Sequence, residues 1–298
     1  MTRSRKWALA ASGAVSAAVL LCFAGGVVLC ESALRVPKNL PPPPGFTRWR
    51  AVQITARDGA VLKAWLVSPE IDNGNCIITL HGIGDSRVGT AALARLFVDN
   101  RYKVLMPDSR GHGESGGEIV TYGLLESRDI QNWVDWLIAT ERPRNIFAMG
   151  ESFGAAVLLQ SLSVEPRFRG VVAECSFASF KAIAECRVAQ RLPVAPPLAY
   201  AVAGPTVWSG FLYARWKYGL DFRAASPQAA AATTSTPVLL IHGLDDQNTP
   251  PLHSQIIALK NPSKIDLWLV PGAGHTGAFQ AAPEQFRSRV LRWLSNHS

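Results

Sequence analysis

Between residues 76 and 272, short apolar runs alternate with stretches of helical periodicity, and this alternation restricts the fold more than any other feature. The runs are CIITLHG (76–82), KVLMPD (103–108), NIFAMGES (145–152), GVVAECS (170–176), TPVLLIHG (236–243) and KIDLWLVPG (264–272). Between them, TAALARLFVDN and FGAAVLLQSL read as helices, and Leu125, Ile130, Trp133, Val134 and Leu137 fall mostly on one helical face. Phe286, Val290, Trp293 and Leu294 repeat that spacing near the end of the chain. Strand–helix alternation of this kind builds βαβ units, hence a mostly parallel sheet with helices on both faces. Ligands of such sheets bind at the carboxyl ends of the strands. The loops that begin at His81, Asp108, Ser152, Asp245 and His275 are therefore expected along one edge.

Two segments depart from this rhythm. RAVQITARDG and VLKAWLVSP, joined at Asp58-Gly59, predict an antiparallel hairpin ahead of the parallel strands. Residues 176–235 interrupt the series with Pro193, Pro196, Pro197 and Pro205 and with aromatics from Phe177 to Phe222. They read as a helical cap inserted over the sheet edge. The uncharged stretch 192–214 has the length of a membrane span, but its prolines and glycines argue against one.

The N-terminus is of another kind. Residues 1–6 form a basic tail, and 7–30 are free of charge, long enough for the ~20 apolar residues that cross a bilayer. That length exceeds the ~7–15-residue apolar core of a cleaved signal, so an uncleaved anchor is expected, with Ala24–Gly26 as the place where cleavage is compatible. Arg3, Arg5 and Lys6 predict a cytoplasmic start and an extracytoplasmic domain. Residues 31–46, which include VPKNLPPPPGF, predict a stiff spacer, and 47–298 the folded domain. The formal charge of +8 is spread without a dense block or interleaved aromatics, so nucleic acid is not an expected partner. Five cysteines give no framework; Cys175 and Cys186 form a disulfide only if the domain is extracytoplasmic and the fold brings them together. No Cys/His cluster has zinc spacing, and neither metal nor organic cofactor is called for.

Chemistry concentrates at GESFG (150–154). A strand that turns at once into a helix needs a sharp corner, and Gly150 and Gly154 leave room for Ser152 to stand there. The following helix directs its N-terminal amides at the same point, which suits a nucleophile that passes through an oxyanion. A serine needs a base, and His275, in a glycine loop after the last strand, is best placed among the six histidines. His81 and His242 each close a strand and read as loop-shaping. For the acid, Asp245 and Asp246 compete, with Glu174 as an alternative at the end of another strand.

His81-Gly82, DSRGHGES (108–115), GESFG, HGLDDQNTP (242–250) and GAGH (272–275) occur in an order that resembles the α/β-hydrolase superfamily over about residues 50–295. Within it, the membrane-anchored serine hydrolases near the serine aminopeptidase and prolyl-oligopeptidase-like groups look most similar. The resemblance implies an α/β-hydrolase fold, and its acid-loop spacing selects Asp246, giving the order Ser152, Asp246, His275. It also implies an oxyanion hole from the backbone N–H groups of Phe153 and Ile83, and a shaping role for Asp108 and RGHGES. The expected activity is hydrolysis of an ester, thioester or amide of a small-molecule or lipid acyl substrate. A peptidase or an acyltransferase fits the same residues, and a binding protein that keeps the fold without catalysis is the alternative of another class.

Overall fold

The computed structural model describes the backbone of residues 3–42 and 44–298 and, in the first helix, the side chains of Trp7 and Ser16 and those from Val19 onward. Helix α1 (Arg3–Leu34) is followed by strands β1 (Trp49–Thr55), β2 (Val61–Val67) and β3 (Asn75–Leu80), helix α2 (Ala91–Asp99) and strand β4 (Lys103–Pro107). Helix α3 (Glu126–Thr140), β5 (Asn145–Glu151), α4 (Phe153–Ser161) and β6 (Phe168–Glu174) continue the series. The insertion holds α5 (Phe180–Gln190), α6 (Pro196–Tyr218) and α7 (Pro227–Thr233). The chain ends with β7 (Val238–Gly243), α8 (Leu252–Lys260), β8 (Ile265–Val270), α9 (Ala278–Ala281) and α10 (Pro283–Asn296).

The eight strands form one sheet in the order β1-β2-β4-β3-β5-β6-β7-β8. β2 runs antiparallel to both β1 and β4, and every other pairing is parallel. This is the α/β-hydrolase fold. Its central strands are apolar on both faces because both are covered. Cys76, Ile78 and Leu80 of β3 pack with α3 and α4, while Ile77 packs on the side of α2 and α10. Ala148 and Phe147 of β5 divide in the same way. Chain order reverses between β3 and β5, which pair in parallel. Their carboxyl ends therefore flank a crevice, and that crevice lies between Ile83 and Ser152.

The N-terminal region differs from expectation. The helix does not end at residue 30 but runs to Leu34, which is buried in the core of the cap. From Cys22 onward α1 lies on α6: the Ser209 hydroxyl donates to the Cys22 carbonyl at 2.9 Å. The expected spacer, 31–46, touches the domain at several described residues. Val120 N–H donates to Leu34 O (2.9 Å), Lys38 to Ser115 O (2.7 Å) and the Asn39 amide to Gly84 O (2.6 Å), and Phe46 is buried. The expected span 7–30 falls partly on side chains outside the described residues; among the described residues no helix is long and apolar enough to cross a membrane. The insertion is a helical cap, as its composition suggests, and Pro205 lies within α6. Cys175 and Cys186 are both buried and free, so they do not form a disulfide here.

The corner at Ser152 is set by backbone contacts. Ser152 has φ 53° and ψ −113°, a conformation L-residues rarely adopt. A Cβ on Gly154 would sit 2.3 Å from the Leu80 carbonyl oxygen, and one on Gly150 would sit 2.6 Å from the Gly154 carbonyl carbon. Neither neighbour is a flexible side chain that can swing away. Gly154→Ala is expected to lower stability by roughly 3 kcal/mol, whereas Gly45→Ala, with nothing within 4 Å, should stay within about 0.5 kcal/mol. Thermal unfolding of both variants beside the parent protein measures this.

Candidate functional site

Four loops at the carboxyl ends of β3, β5, β7 and β8 bring the expected residues together. The Ser152 Oγ lies 2.8 Å from His275 Nε2, and His275 Nδ1 lies 2.7 Å from Asp246 Oδ2. Asp246 is buried, while Asp245 beside it is exposed and engages the site only through its backbone, donating to Ala273 O at 2.9 Å. The choice between the two acids is therefore made by the turn. Gly243 makes this approach possible, since a Cβ there would lie 2.2 Å from Ala273 O.

Asp246 is saturated with donors. Its Oδ1 accepts from the amides of Asn248 (2.8 Å) and Thr249 (2.9 Å). Its Oδ2 faces both His275 and His242, the latter at 3.2 Å. Burial opposes ionisation of this carboxyl, but the bonds from His242, His275 and Thr249 outweigh it and hold it far below the usual carboxylate range. An ionised Asp246 assigns the proton of His275 to Nδ1. Nε2 is then the acceptor, and the Ser152 hydroxyl donates to it.

His242 shapes the loop, as expected of a residue closing a strand, but its contact with the acid was not legible in the sequence. Its Nε2–H is shared between Thr249 O (2.7 Å) and Asp246, and its Nδ1 accepts from Ser254 (2.6 Å). The four-residue separation of His242 and Asp246 is the only sequence signal for this pair. Glu174, the alternative acid, does not reach His275. Its Oε1 accepts from Ala278 N–H at 3.0 Å, and its Oε2 is buried without a partner among the described residues. Complete burial pushes its carboxyl up to about 7. Its backbone does contribute, since Glu174 O accepts from the amide of Ser152 at 2.8 Å.

Phe153 is the first residue of α4, where backbone N–H groups have no intrahelical acceptor. Among the described residues, neither the Phe153 nor the Ile83 amide donates to another protein group. The Ile83 loop is clamped through the next peptide: Gly84 N–H donates to His112 Nε2 (3.1 Å) while Gly84 O accepts from Asn39. His112 can accept because burial, reinforced by nearby His81, lowers it to about 4, and its Nδ1–H donates to Arg110 O (2.9 Å). His81 likewise accepts from Ser109 N–H (3.1 Å). Asn39 lies in the segment expected to be a spacer, and nothing local marked it.

Asp108 is structural. It accepts from the amides of Arg87 (2.7 Å) and Glu114 (2.8 Å) and pairs with the buried Arg87 guanidinium (2.8 Å). Arg110 grips Asp129 with two bonds of 2.7 and 2.8 Å. Among the described residues, the one grouping with metal-ligand side chains is Cys175, Asp246 and His275, all within 4.8 Å. Asp246 and His275 already engage each other there, and Cys175 Sγ accepts from Thr276 N–H at 3.3 Å.

Beside Ile83 opens an apolar cavity of about 450 Å³, bounded by α1, α5 and α6. The cap is tied to the acid loop below it, Arg187 donating to Asn248 Oδ1 (2.9 Å) and Gln190 to Gln247 O (2.8 Å).

Comparison with known proteins agrees with this architecture. Residues 77–289 match the model of the alpha/beta hydrolase family, and the chain belongs to that family. It is 28% identical over 251 residues to YqkD of Bacillus subtilis, covering 83% of this chain and 79% of that protein. It is 28% identical over 243 residues to YfhR of Escherichia coli K12, covering 78% and 75%. Among solved structures, the Pyrococcus furiosus esterase Pf2001 superposes with a TM-score of 0.70 at 24% identity, over 88% of this chain and 98% of that one.

Two predictions separate the acids. Asp246→Asn should reduce kcat about 10⁴-fold by favouring the wrong tautomer of His275, while Glu174→Gln should leave that tautomer in place; steady-state hydrolysis by both variants decides. The second concerns pH. The unfolded chain ionises Glu174 near 4.5, but the folded chain does so only near 7. The folded state thus binds the extra proton between these values, and stability falls as pH rises through that window. Melting curves between about pH 5 and pH 8 should show this decline in the parent protein and a shallower one in Glu174→Gln.

Proposed function

We propose that this hydrolase is a membrane-tethered serine enzyme acting on carboxylic esters through an acyl-enzyme. The observation that carries the reading is the continuous relay from Ser152 through His275 to Asp246, with distances of 2.8 and 2.7 Å. Ser152 Oγ attacks the carbonyl carbon while its proton passes to His275 Nε2. The tetrahedral oxyanion is held by the N–H groups of Phe153 and Ile83, each worth roughly 3–4 kcal/mol in the transition state. The C–O bond to the leaving group breaks as His275 returns the proton to it. Water, deprotonated by the same nitrogen, then attacks the acyl-enzyme and releases the acid. Asp246 stabilises the imidazolium that forms twice in the cycle. A thioester or amide would follow the same steps. The apolar cavity beside Ile83 and the fold likeness to an archaeal esterase favour esters.

The tether is the N-terminal part of α1. Its uncharged sequence from 7 to 30 and the basic residues before it support a cytoplasmic start and a hydrolase domain outside. Exposed apolar side chains on the described part of α1 (Val19, Leu20, Leu21, Phe23) and on α6 (Trp208, Leu212, Trp216) support contact with a bilayer surface.

The full-length protein, purified in detergent, should be labelled by a fluorophosphonate, and Ser152→Ala should not be. Labelling that persists in Ser152→Ala, or none in folded parent protein, overturns the assignment of the nucleophile. For the tether, protein from fractionated cells should resist alkaline extraction of the membranes; release into the soluble fraction would refute it.

A further inference from the structure

The apolar cavity does not lie between the sheet and the cap alone. One of its walls is α1. Gly26 and Leu29 of α1 line it together with Ile183 of α5 and Val207 and Phe211 of α6. We propose that this cavity binds the hydrocarbon chain of a lipid acyl ester, and that α1 is a wall of the substrate site as well as a tether; the proposal rests on Ser152 being the nucleophile.

Position is the first argument. The side chain of Ile83 lines the cavity, and its amide is the donor proposed for the oxyanion. The preceding Gly82 stands against Ser152: a Cβ there would lie 3.8 Å from that of Ser152. An acyl carbonyl held between Ser152 and Ile83 therefore has the cavity beside it for its alkyl substituent.

The chemistry of the walls is the second. The hydroxyls that line the cavity are bonded to carbonyls of the protein itself: Tyr122 to Ala33 O (2.9 Å), Thr206 to Val202 O (2.8 Å) and Ser32 to Leu29 O (3.0 Å). Charge enters the lining only through Arg187 and Arg191, which are partly or fully exposed and belong to the rim. A peptide or sugar inside would lose its water and find few partners, which is costly. An aliphatic chain loses nothing. The volume, about 450 Å³, falls in the ~300–1,000 Å³ range of small-molecule sites, far more than an acetyl group fills.

The third is that the α1 wall is built to stay in place. A Cβ on Gly26 would sit 2.4 Å from Thr206 O and 2.7 Å from Gly210 N, so the helices touch at their backbones. Below that crossing, Glu31 accepts from Tyr213 (2.7 Å), Lys217 (2.8 Å) and Tyr218 (2.7 Å) of α6. The outer surfaces of this helix pair carry the exposed apolar side chains named above.

Two measurements on the full chain in detergent test this. In the first, kcat/KM for 4-nitrophenyl esters from acetate to decanoate should climb by roughly fourfold per added methylene. Val207→Trp, which fills the cavity, should lower the decanoate-to-acetate ratio at least 50-fold. A chain-length profile that is flat, or a ratio untouched by Val207→Trp, overturns the proposal. So would faster turnover of hydrophobic aminoacyl anilides than of any ester, which would give the cavity to a peptide side chain. In the second, a decanoic acid carrying a terminal diazirine is photo-crosslinked to Ser152→Ala protein, where no turnover is needed. Adducts within Cys22–Leu34 and on α5 or α6 support the site, and adducts confined to other segments refute it. If Ser152 is not the nucleophile, the ester assay fails at every chain length while the crosslinks persist, so the two failures are told apart.

Discussion

The site depends on how closely two backbones approach where β5 turns into α4. Ser152 is held at positive φ because the start of α4 is pressed against the carbonyls of Leu80 and His81 at the end of β3. That contact places the N-terminus of α4 beside the loop that carries Ile83, so the proposed nucleophile and both proposed oxyanion donors are set by one packing event. The strain at Ser152 is held by the sheet: β5 is bonded in parallel to β3 and β6 on its two sides, and the Ser152 amide itself donates to Glu174 O. Loosening the approach of α4 to β3 would move Ser152 and the Phe153 and Ile83 amides together.

The other half of the relay is held by hydrogen bonds in place of close packing. Asp246 sits in a turn whose own amides bind one carboxylate oxygen, while His242 and His275 share the other. This excess of donors keeps a buried carboxyl charged. Glu174, one strand away and equally buried, accepts one amide and is driven toward its neutral form. The two carboxyls differ in charge because burial outweighs the single bond at Glu174 while the many donors outweigh it at Asp246, a property of the assembled loops.

The N-terminal helix and the site are joined in one body. Small residues let α1 and α6 meet at Gly26 and Gly210, Glu31 locks the pair, and Leu34 and Tyr122 carry the contact into the cap core beside Phe153. Asn39 then reaches the Ile83 loop through Gly84 O. A segment that reads as anchor and spacer thereby shares surfaces with the residues around Ser152.

Much of this was legible in advance, for physical reasons. Apolar runs such as CIITLHG and TPVLLIHG must be buried on both faces, and helical patterns between them force parallel crossovers. The order of elements, the cap and the strand-end loops follow. GESFG announced a sharp corner that its flanking glycines leave room for, and His275 lay in the loop where a base was expected. The preference for Asp246 over Asp245 came from family likeness alone, because adjacent residues in a turn cannot be told apart until the turn is built. The link from His242 to Asp246, the clamp on Gly84 and the packing of α1 on α6 join positions that are distant in sequence or carry no local pattern. The sequence by itself determined the sheet, its crossovers and the residue types at the strand ends, since periodicity and backbone sterics act locally. Only the tertiary structure decided which acid meets His275, what holds the Ile83 loop and what the N-terminal helix touches, because those depend on contacts made after the chain has folded.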